Sequence, residues 1–340
     1  MSFQRGDLRG LLRAERPAVC FVTNIGDAML TLPTARALGE MFSEPITWIC
    51  PKVAFDLCFG ETSPRLVDIT GLPLTGTPPL PGVPERPVDY EALAEEIGAV
   101  DLFIDTLPWN ALSEIVIRPL RKHLAPTTSI GFASDGGYDV VVPKAQCHAA
   151  DLTFALARLF DPTLRIEDYA QPVPVPPEAQ RQAQLMRAAV PAGVKVLVVH
   201  ADTNWTEKRW PITQFIDVLN GFLSRHRDYV AWVVGLGHEG LNAGPERERI
   251  FPQLGLPLDL TMGLVASADA FVGIDSSMLH AADLARVPGV GLFGPTRAAT
   301  WGFRFAPHRH VEMSTMADIT AAQVLGAMED LVAEQVGLSG

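Results

Sequence analysis

Short apolar runs alternate with amphipathic stretches through the first half of the chain. The apolar runs are typical of buried strands, and apolar residues at helical spacing predict the helices between them. The predicted strands are residues 18–22, 46–50 and 101–105, and the predicted helices are residues 28–42, 54–59 and 90–97. Because strands and helices alternate, we expect parallel βαβ units. Residues 71–87, which are rich in proline, are predicted to form an irregular loop.

The same alternation returns after residues 171–177, where four of seven residues are proline. Such a segment suits neither a helix nor a central strand and predicts a domain boundary. Beyond it the predicted strands are residues 194–200, 229–235, 270–274 and 290–293, and the predicted helices are residues 212–226 and 276–285. The sequence therefore predicts an α/β protein of two Rossmann-like domains, residues 1–170 and 171–340, and leaves open that the last helix packs back on the first domain. Ligands of such folds bind at the carboxyl ends of the strands, here in a cleft between two sheets.

Length and composition agree with two well-packed domains. At roughly 150 residues per domain, 340 residues suggest two, and 48% of the residues are apolar against 19% charged. No uninterrupted apolar run reaches the length of about 18 residues that a spanning helix needs. The N-terminus also lacks a secretory signal pattern. We therefore expect a cytoplasmic protein with at most peripheral membrane contact.

The charge distribution excludes one class of partner. The net charge is −12, and no basic stripe of the kind that binds nucleic acid stands out. The short basic cluster at residues 118–123 is interpreted as a solvated helix end. The four cysteines are scattered and include no Cys-x-x-Cys pair, so neither a disulfide nor a zinc site is expected. Cys20 and Cys50 lie in apolar runs and are interpreted as small buried hydrophobes.

The turn Asp275-Ser276-Ser277 joins a predicted strand to a predicted helix. A helix N-terminus carries unpaired N–H groups and a partial positive charge, which suit a phosphate. His280 lies one turn further along, on the face above that terminus. The alternative interpretation is structural, with Asp275 as an N-cap and His280 as a hydrogen-bonded core residue. A second polar turn at residues 294–296 favours a ligand site.

The loop at residues 200–211 also follows a strand and precedes a helix. Thr203, Asn204, Thr206 and Lys208 offer hydroxyl, amide and ammonium donors that suit a diphosphate. Alternatively, this is an ordinary polar loop with solvated charges.

Two carboxylates follow other strands. Asp27 stands at the start of a helix, where no Gly-x-Gly-x-x-Gly pattern occurs and a dinucleotide fingerprint is therefore missing. It either complements the helix dipole or serves as a general base. Glu239 follows the strand at residues 229–235 and has the chemistry to accept hydrogen bonds from a ribose.

Taken in order, these motifs resemble the ADP-heptose heptosyltransferases of the inverting glycosyltransferase family 9. The first motif, Ile-Gly-Asp followed by Thr and Pro, is similar to residues 25–33. The Lys-x-Trp-Pro motif matches residues 208–211, the Asp-[Ser/Thr]-Gly-x-x-His motif resembles residues 275–280, and Gly-Pro-Thr matches residues 294–296. The resemblance implies a GT-B fold, an ADP-heptose donor, inversion at the anomeric carbon, and neither a metal nor any other cofactor beyond the ADP-sugar co-substrate.

Carried over by position, the resemblance assigns Asp27 as the general base and Lys208 as the group that neutralises the donor phosphates. It makes Thr203 a further hydrogen-bond donor to the phosphates and Glu239 the residue that holds the ribose. The remaining donor-binding residues are Thr261, in the segment where the family contacts adenine; Asp275, on the hydroxyls of the sugar; and Ser276, Ser277 and His280, which line the phosphate pocket.

Three departures keep other functions open. Ser277 replaces the family's usual glycine, the segment before Asp275 is compressed, and residues 105–109 differ from the family's Asp-x-Gln-Gly. The acceptor is therefore either a lipopolysaccharide core or a small metabolite. A transferase that uses another NDP-sugar, or a non-catalytic nucleotide-sugar binding protein, remains an alternative.

Overall fold

The computed structural model describes residues 8–70, 88–108, 116–132, 137–237 and 239–338. The predicted loop at residues 71–87 lies outside them, as does Trp109. Contacts divide the chain into two compact units, Met1–Ala170 and Gln171–Gly340. Residues 171–176, on the second side of that division, carry no helix or strand.

The first unit holds a six-stranded parallel sheet in the order β3-β2-β1-β4-β5-β6. Its strands are β1 Pro17–Cys20, β2 Thr47–Cys50, β3 Arg65–Asp68, β4 Leu102–Asp105, β5 Thr128–Gly131 and β6 Val140–Val141. Its helices are α1 Ile25–Met41, α2 Lys52–Ala54, α3 Tyr90–Ile97, α4 Arg118–Leu124 and α5 Ala149–Arg158, with 3-10 turns at Leu8–Arg13 and Ile166–Asp168 and a π turn at Phe55–Phe59.

The second unit repeats this architecture in the order β12-β11-β10-β7-β8-β9, again fully parallel. Its strands are β7 Lys195–His200, β8 Tyr229–Gly235, β9 Ile250–Leu254, β10 Ala270–Ile274, β11 Gly289–Phe293 and β12 His308–Glu312. Its helices are α6 Pro177–Ala188, α7 Ile212–Arg225, α8 Leu258–Ala266, α9 Ser277–Leu284, α10 Ala298–Trp301 and α11 Ala321–Leu338, with 3-10 turns at Thr206–Lys208, Glu239–Leu241, Arg247–Arg249 and Met316–Asp318.

Burial explains why the central strands form where the sequence predicts them. Strands β1, β4, β10 and β11 are buried at every position, as expected when helices cover both faces of a parallel sheet. The predicted fold class, α/β with two Rossmann-like domains, is confirmed. Helix α11, whose placement the sequence left open, packs on α7, β11 and β12 of its own unit.

One boundary matters for the site. Helix α1 begins at Ile25 instead of residue 28, after Asn24 in an extended conformation, so Asp27 lies within its first turn. The chain therefore enters this helix after only four residues that follow β1. By contrast, eleven residues separate β7 from α7 in the second unit.

Candidate functional site

In both sheets the strand order reverses between the first strand and the fourth strand of the unit. At such a point the connections leave towards opposite faces, and the carboxyl ends of the two strands flank a crevice that binds ligands. In the second unit these strands are β7 and β10. The loop at residues 201–211 and the turn at residues 275–277 therefore meet at this edge, and each carries one of the predicted motifs.

Lys208 joins the two segments. Its Nζ lies 2.7 Å from Oδ2 of Asp275, and the two side chains are only 17% and 5% exposed. The same ammonium lies 4.8 Å from the centre of the Trp205 ring. The one-turn helix Thr206–Lys208 sets this geometry, because the Lys208 N–H donates to the Trp205 carbonyl at 3.0 Å. A half-buried cation is thus held at the carboxyl edge of the sheet.

Asp275 faces this cation instead of capping the helix. Helix α9 begins at Ser277, and its N-cap is Ser276. The second carboxylate oxygen of Asp275 lies 3.8 Å from Nε2 of His280, which is buried one turn into the helix. The predicted donor residues Lys208, Asp275 and His280 are therefore brought together.

The two serines behave differently from each other. Ser276 is extended, with φ −161° and ψ 169°, and its Oγ lies 3.0 Å from Nδ1 of His200. Ser277 is the first residue of the helix, and among the described non-glycine residues only Ala125 and Arg286 have positive φ. The serine at the position of the family's glycine is therefore free of left-handed strain, and its side chain stands at the start of the helix.

The other predicted donor residues are placed as follows. The Thr203 hydroxyl oxygen accepts a hydrogen bond from the Trp205 N–H at 3.0 Å and shapes the loop. Thr261 is buried in α8, where its hydroxyl donates to the Pro257 carbonyl at 3.0 Å. The backbone of Glu239 opens the turn Glu239–Leu241 just beyond β8, and its side chain lies outside the described residues.

The sequence did not predict a hydrogen bond that links the loop after β7 to the loop after β8. The carboxylate of Asp202 accepts a hydrogen bond from the Leu236 N–H. Gly235 has φ +137°, and a Cβ there would overlap Asp202 Oδ2, so only glycine fits. The sequence motifs gave no sign of the hydrogen bond between Leu236 and Asp202, because it depends on the register in which β7 pairs with β8.

In the first unit the corresponding edge carries Asp27 and Asp105. Asp27 is partly buried in the first turn of α1. Asp105, the last residue of β4, is fully buried and accepts hydrogen bonds from the Leu107 N–H at 2.8 Å and from the Tyr138 hydroxyl. The guanidinium of Arg121 stacks 4.0 Å above the Tyr138 ring. Arg121 is 8% exposed, so the interpretation of its cluster as a solvated helix end is wrong for this residue.

The cysteines are free thiols, and three of them are buried. Burial raises the pKa of Cys20 well above its usual value, and the neighbouring Asp105 raises it further. Burial also raises the pKa of Cys58, to about 12. These thiols are therefore poor nucleophiles at neutral pH.

Among the described side chains, no group of three or more His, Cys, Asp or Glu residues is arranged to hold a metal ion. Within the same residues, no helix combines the length and apolar character needed to cross a membrane.

The family model "Glycosyltransferase family 9 (heptosyltransferase)" matches residues 120–324, which is more than half of the chain. This span includes the residues described above at the carboxyl edge of the second sheet. The chain belongs to glycosyltransferase family 9. The matched span contains Lys208, Asp275 and His280, whereas Asp27 lies before it. The resemblance inferred from the motifs is thus confirmed at the level of the family.

Solved structures share the fold of this family 9 chain over nearly its whole length. The family 9 glycosyltransferase from Veillonella parvula DSM 2008 is 18% identical with a TM-score of 0.73, covering 95% of this chain and 98% of its own. ADP-heptose lps heptosyltransferase II of E. coli is 15% identical with a TM-score of 0.66, covering 94% and 99%. TibC, an iron-containing dodecameric glycosyltransferase from enterotoxigenic E. coli, is 14% identical with a TM-score of 0.56, covering 95% and 78%. No curated protein matches the chain in sequence.

Proposed function

We propose that this family 9 chain is an inverting glycosyltransferase that moves a heptose, or a related sugar, from ADP-heptose to an acceptor hydroxyl. The observation that carries the proposal is the 2.7 Å contact between Lys208 and Asp275, which places a cation and a carboxylate beside the N-terminus of α9. A nucleotide sugar needs both, because it presents an anionic diphosphate next to neutral sugar hydroxyls.

The second unit supplies the donor site in this proposal. Lys208 and the first N–H groups of α9 stabilise the negative charge that grows on the diphosphate as ADP leaves. Ser276, Ser277 and His280 line the phosphate pocket, and the hydroxyl of Thr203 adds a further donor. Glu239 holds the ribose, and Thr261 belongs to the adenine side.

Asp275 orients the transferred sugar. A carboxylate has about four lone-pair positions, and Lys208 uses one of them. The remaining positions accept hydrogen bonds from sugar hydroxyls and hold the anomeric carbon in a fixed direction. Positioning of this kind lowers the entropic part of the barrier.

Asp27 is the proposed general base in the first unit. Its carboxylate takes the proton of the acceptor hydroxyl as that oxygen forms a bond to the anomeric carbon. The bond from this carbon to the β-phosphate oxygen breaks in the same step, and its electron pair leaves with ADP. A single displacement of this kind inverts the anomeric centre.

The proposal uses no metal and no further cofactor, because Lys208 and backbone N–H groups carry the charge compensation. The acceptor is either a lipopolysaccharide core or a small metabolite, and the protein works in the cytoplasm. If the proposal is right, EDTA leaves turnover unchanged, whereas a loss of turnover that added metal restores would refute this part.

The central test compares Asp27→Ala with Asp161→Ala, a half-buried carboxylate of the same unit that follows α5 and accepts hydrogen bonds from Thr163. We expect Asp27→Ala to retain ADP affinity and to lose turnover by about 10²–10⁴-fold, the usual contribution of a general base. Asp161→Ala should match the wild type in both. Near wild-type turnover of Asp27→Ala would show that the base is misassigned.

Ser277 favours one alternative, a transferase that uses a different NDP-sugar and a small-molecule acceptor. Its side chain stands at the start of α9, where the family usually has glycine and the donor phosphates come closest. Calorimetry with ADP, UDP and GDP separates the two proposals, since a clear preference for UDP or GDP would favour the alternative. A non-catalytic binding protein would show ADP affinity without any donor hydrolysis or transfer.

A further inference from the structure

A serine at a helix N-cap normally places its side-chain oxygen on the N–H of the second or third helical residue. Ser276 has the extended backbone of an N-cap, yet its side chain makes no hydrogen bond to helix α9. Its Oγ lies instead 3.0 Å from Nδ1 of His200.

The preceding residue does not replace this cap. The carboxylate of Asp275 is held by Nζ of Lys208 at 2.7 Å, with His280 on its other side. Neither of the two polar residues before α9 therefore caps the helix with its side chain. The Leu279 N–H donates to the Ser276 carbonyl at 3.1 Å, whereas the N–H groups of Ser277 and Met278 come before the first bond of the helix ladder.

His200 is placed by the sheet. It ends β7 and is paired in register with Gly273 of β10, two residues before Asp275. A Cβ at Gly273 would come 2.7 Å from the His200 carbonyl oxygen, a spacing that only glycine permits. His200 as a whole is only 7% exposed. Strand pairing thus fixes this ring beside the start of α9.

We propose that His200 is a positioning residue for the donor site, and this inference rests on the proposed function. By binding the Ser276 hydroxyl, His200 holds it away from the helix and leaves the N–H groups of α9 open to the diphosphate of the donor. Removal of His200 lets Ser276 cap α9, so that the hydroxyl competes with the phosphate for the same N–H groups.

This competition makes an unusual prediction for the double variant. In His200→Leu the freed serine caps the helix, and ADP binds more weakly by about fivefold, which corresponds to a typical N-cap of ~1 kcal/mol. Ser276→Ala cannot cap, so this variant is the reference that measures what loss of the Ser276 hydroxyl alone does to ADP affinity. In His200→Leu/Ser276→Ala the competitor is gone, and affinity returns to that of Ser276→Ala.

The experiment is calorimetric titration of ADP into wild type, both single variants and the double variant. A merely structural role for His200 would leave the double variant as weak as His200→Leu or weaker, because removal of the serine cannot repair a misfolded edge. That result, or equal ADP affinity in wild type and His200→Leu, would overturn the inference. If wild type itself does not bind ADP, the proposed function fails and the inference fails with it.

A second pair of variants keeps the test independent of core packing. The amide of Asn reaches the position of Nδ1, whereas the amide of Gln reaches that of Nε2. We therefore expect His200→Asn to preserve the hold on Ser276 and wild-type affinity, and His200→Gln to resemble His200→Leu. Donor KM should follow the same order in turnover assays, with kcat less affected, and the reverse order of the Asn and Gln variants would contradict the assignment of Nδ1.

Discussion

The two units share one strand order. They differ in the side chains that lie where this order reverses, between the first and fourth strands of each unit. In each unit an aspartate ends or directly follows the fourth strand: Asp105 at the end of β4 and Asp275 just after β10. Asp105 is fully buried and receives the Leu107 N–H and the Tyr138 hydroxyl, both neutral donors. Asp275 is also buried but faces the ammonium of Lys208.

This difference shows that a position in the fold does not decide a residue's role, whereas its partners do. Neutral donors from its own unit tie the Asp105 carboxylate into the local structure. A cation beside a helix N-terminus makes the Asp275 region attractive to an anion. We therefore expect changes at Asp105 to alter stability and changes at Asp275 to alter donor chemistry.

Among the changes that test this comparison, Lys208→Ala should have the largest effect. Loss of a charged group that stabilises the leaving diphosphate should lower kcat/KM by about 10²–10³-fold. Lys195→Ala is the matched control, because Lys195 lies at the other end of β7 and pairs with Asp228 near the surface. Steady-state kinetics on both variants checks this. Equal kcat/KM values for the two variants would remove Lys208 from the donor site.

Gly235→Ala should produce the next largest effect, on stability. Its φ of +137° is unfavourable for alanine, and the new Cβ would displace the Asp202 carboxylate from the Leu236 N–H. We expect a loss of about 3 kcal/mol in the free energy of unfolding. Gly193→Ala, with φ +83° and open space, should cost only about 1 kcal/mol. Urea unfolding of both variants measures the difference. A similar loss of unfolding free energy in both would show that the Asp202 contact does not add to the cost at Gly235.

Asp105→Asn tests the comparison directly. Asparagine replaces one carboxylate oxygen with an NH2 group. Either the Leu107 N–H then faces another donor, or the Tyr138 hydroxyl must accept instead of donating to a charged oxygen. We expect a loss of about 2 kcal/mol in unfolding free energy and unchanged ADP affinity. Asp275→Asn should instead lower kcat/KM by about tenfold or more, since a hydrogen bond to a charged group is lost. If Asp105→Asn weakens ADP binding as much as Asp275→Asn, the contrast between the units is wrong.

The smallest effect concerns thiol reactivity, which reports on the first unit alone because all four cysteines precede residue 171. A raised pKa leaves less thiolate at a given pH, so Cys20 and Cys58 should resist iodoacetamide at pH 8 in the folded protein. Cys147, which is only partly buried, should react first. Asp105→Asn should speed labelling of Cys20 and Asp275→Asn should not, as peptide mass spectrometry would show.

Sequence patterns predicted the central strands well and the outer ones poorly. β8 and β10 have the predicted bounds, because both faces of these strands are buried and their residues are almost all apolar. Strands β3 and β12 were missed because they are edge strands that carry polar residues: Arg65 and Asp68 are exposed, and His308 is partly exposed. β5 was missed for another reason, because its buried Thr128 and Ser129 are polar.

The site was predictable as a set of motifs and less so as a set of contacts. Strand-to-helix turns located Lys208, Asp275 and His280, and the structure places Lys208 and His280 each within 4 Å of the Asp275 carboxylate. The bond between His200 and Ser276 was beyond reach, because it depends on which strands are neighbours. Tyr138 was missed in the same way: its contact with Asp105 spans 33 residues of sequence.

Each sheet is formed within one unit, and this has a consequence for genetic recombination. Each sheet takes all six of its described strands from its own unit, and the division falls beside a segment of chain with no helix or strand. Genetic recombination within residues 171–176 would therefore exchange one complete six-stranded sheet and would not divide either sheet. A lineage built on this plan can exchange one complete sheet by a single crossover while it keeps the other sheet intact.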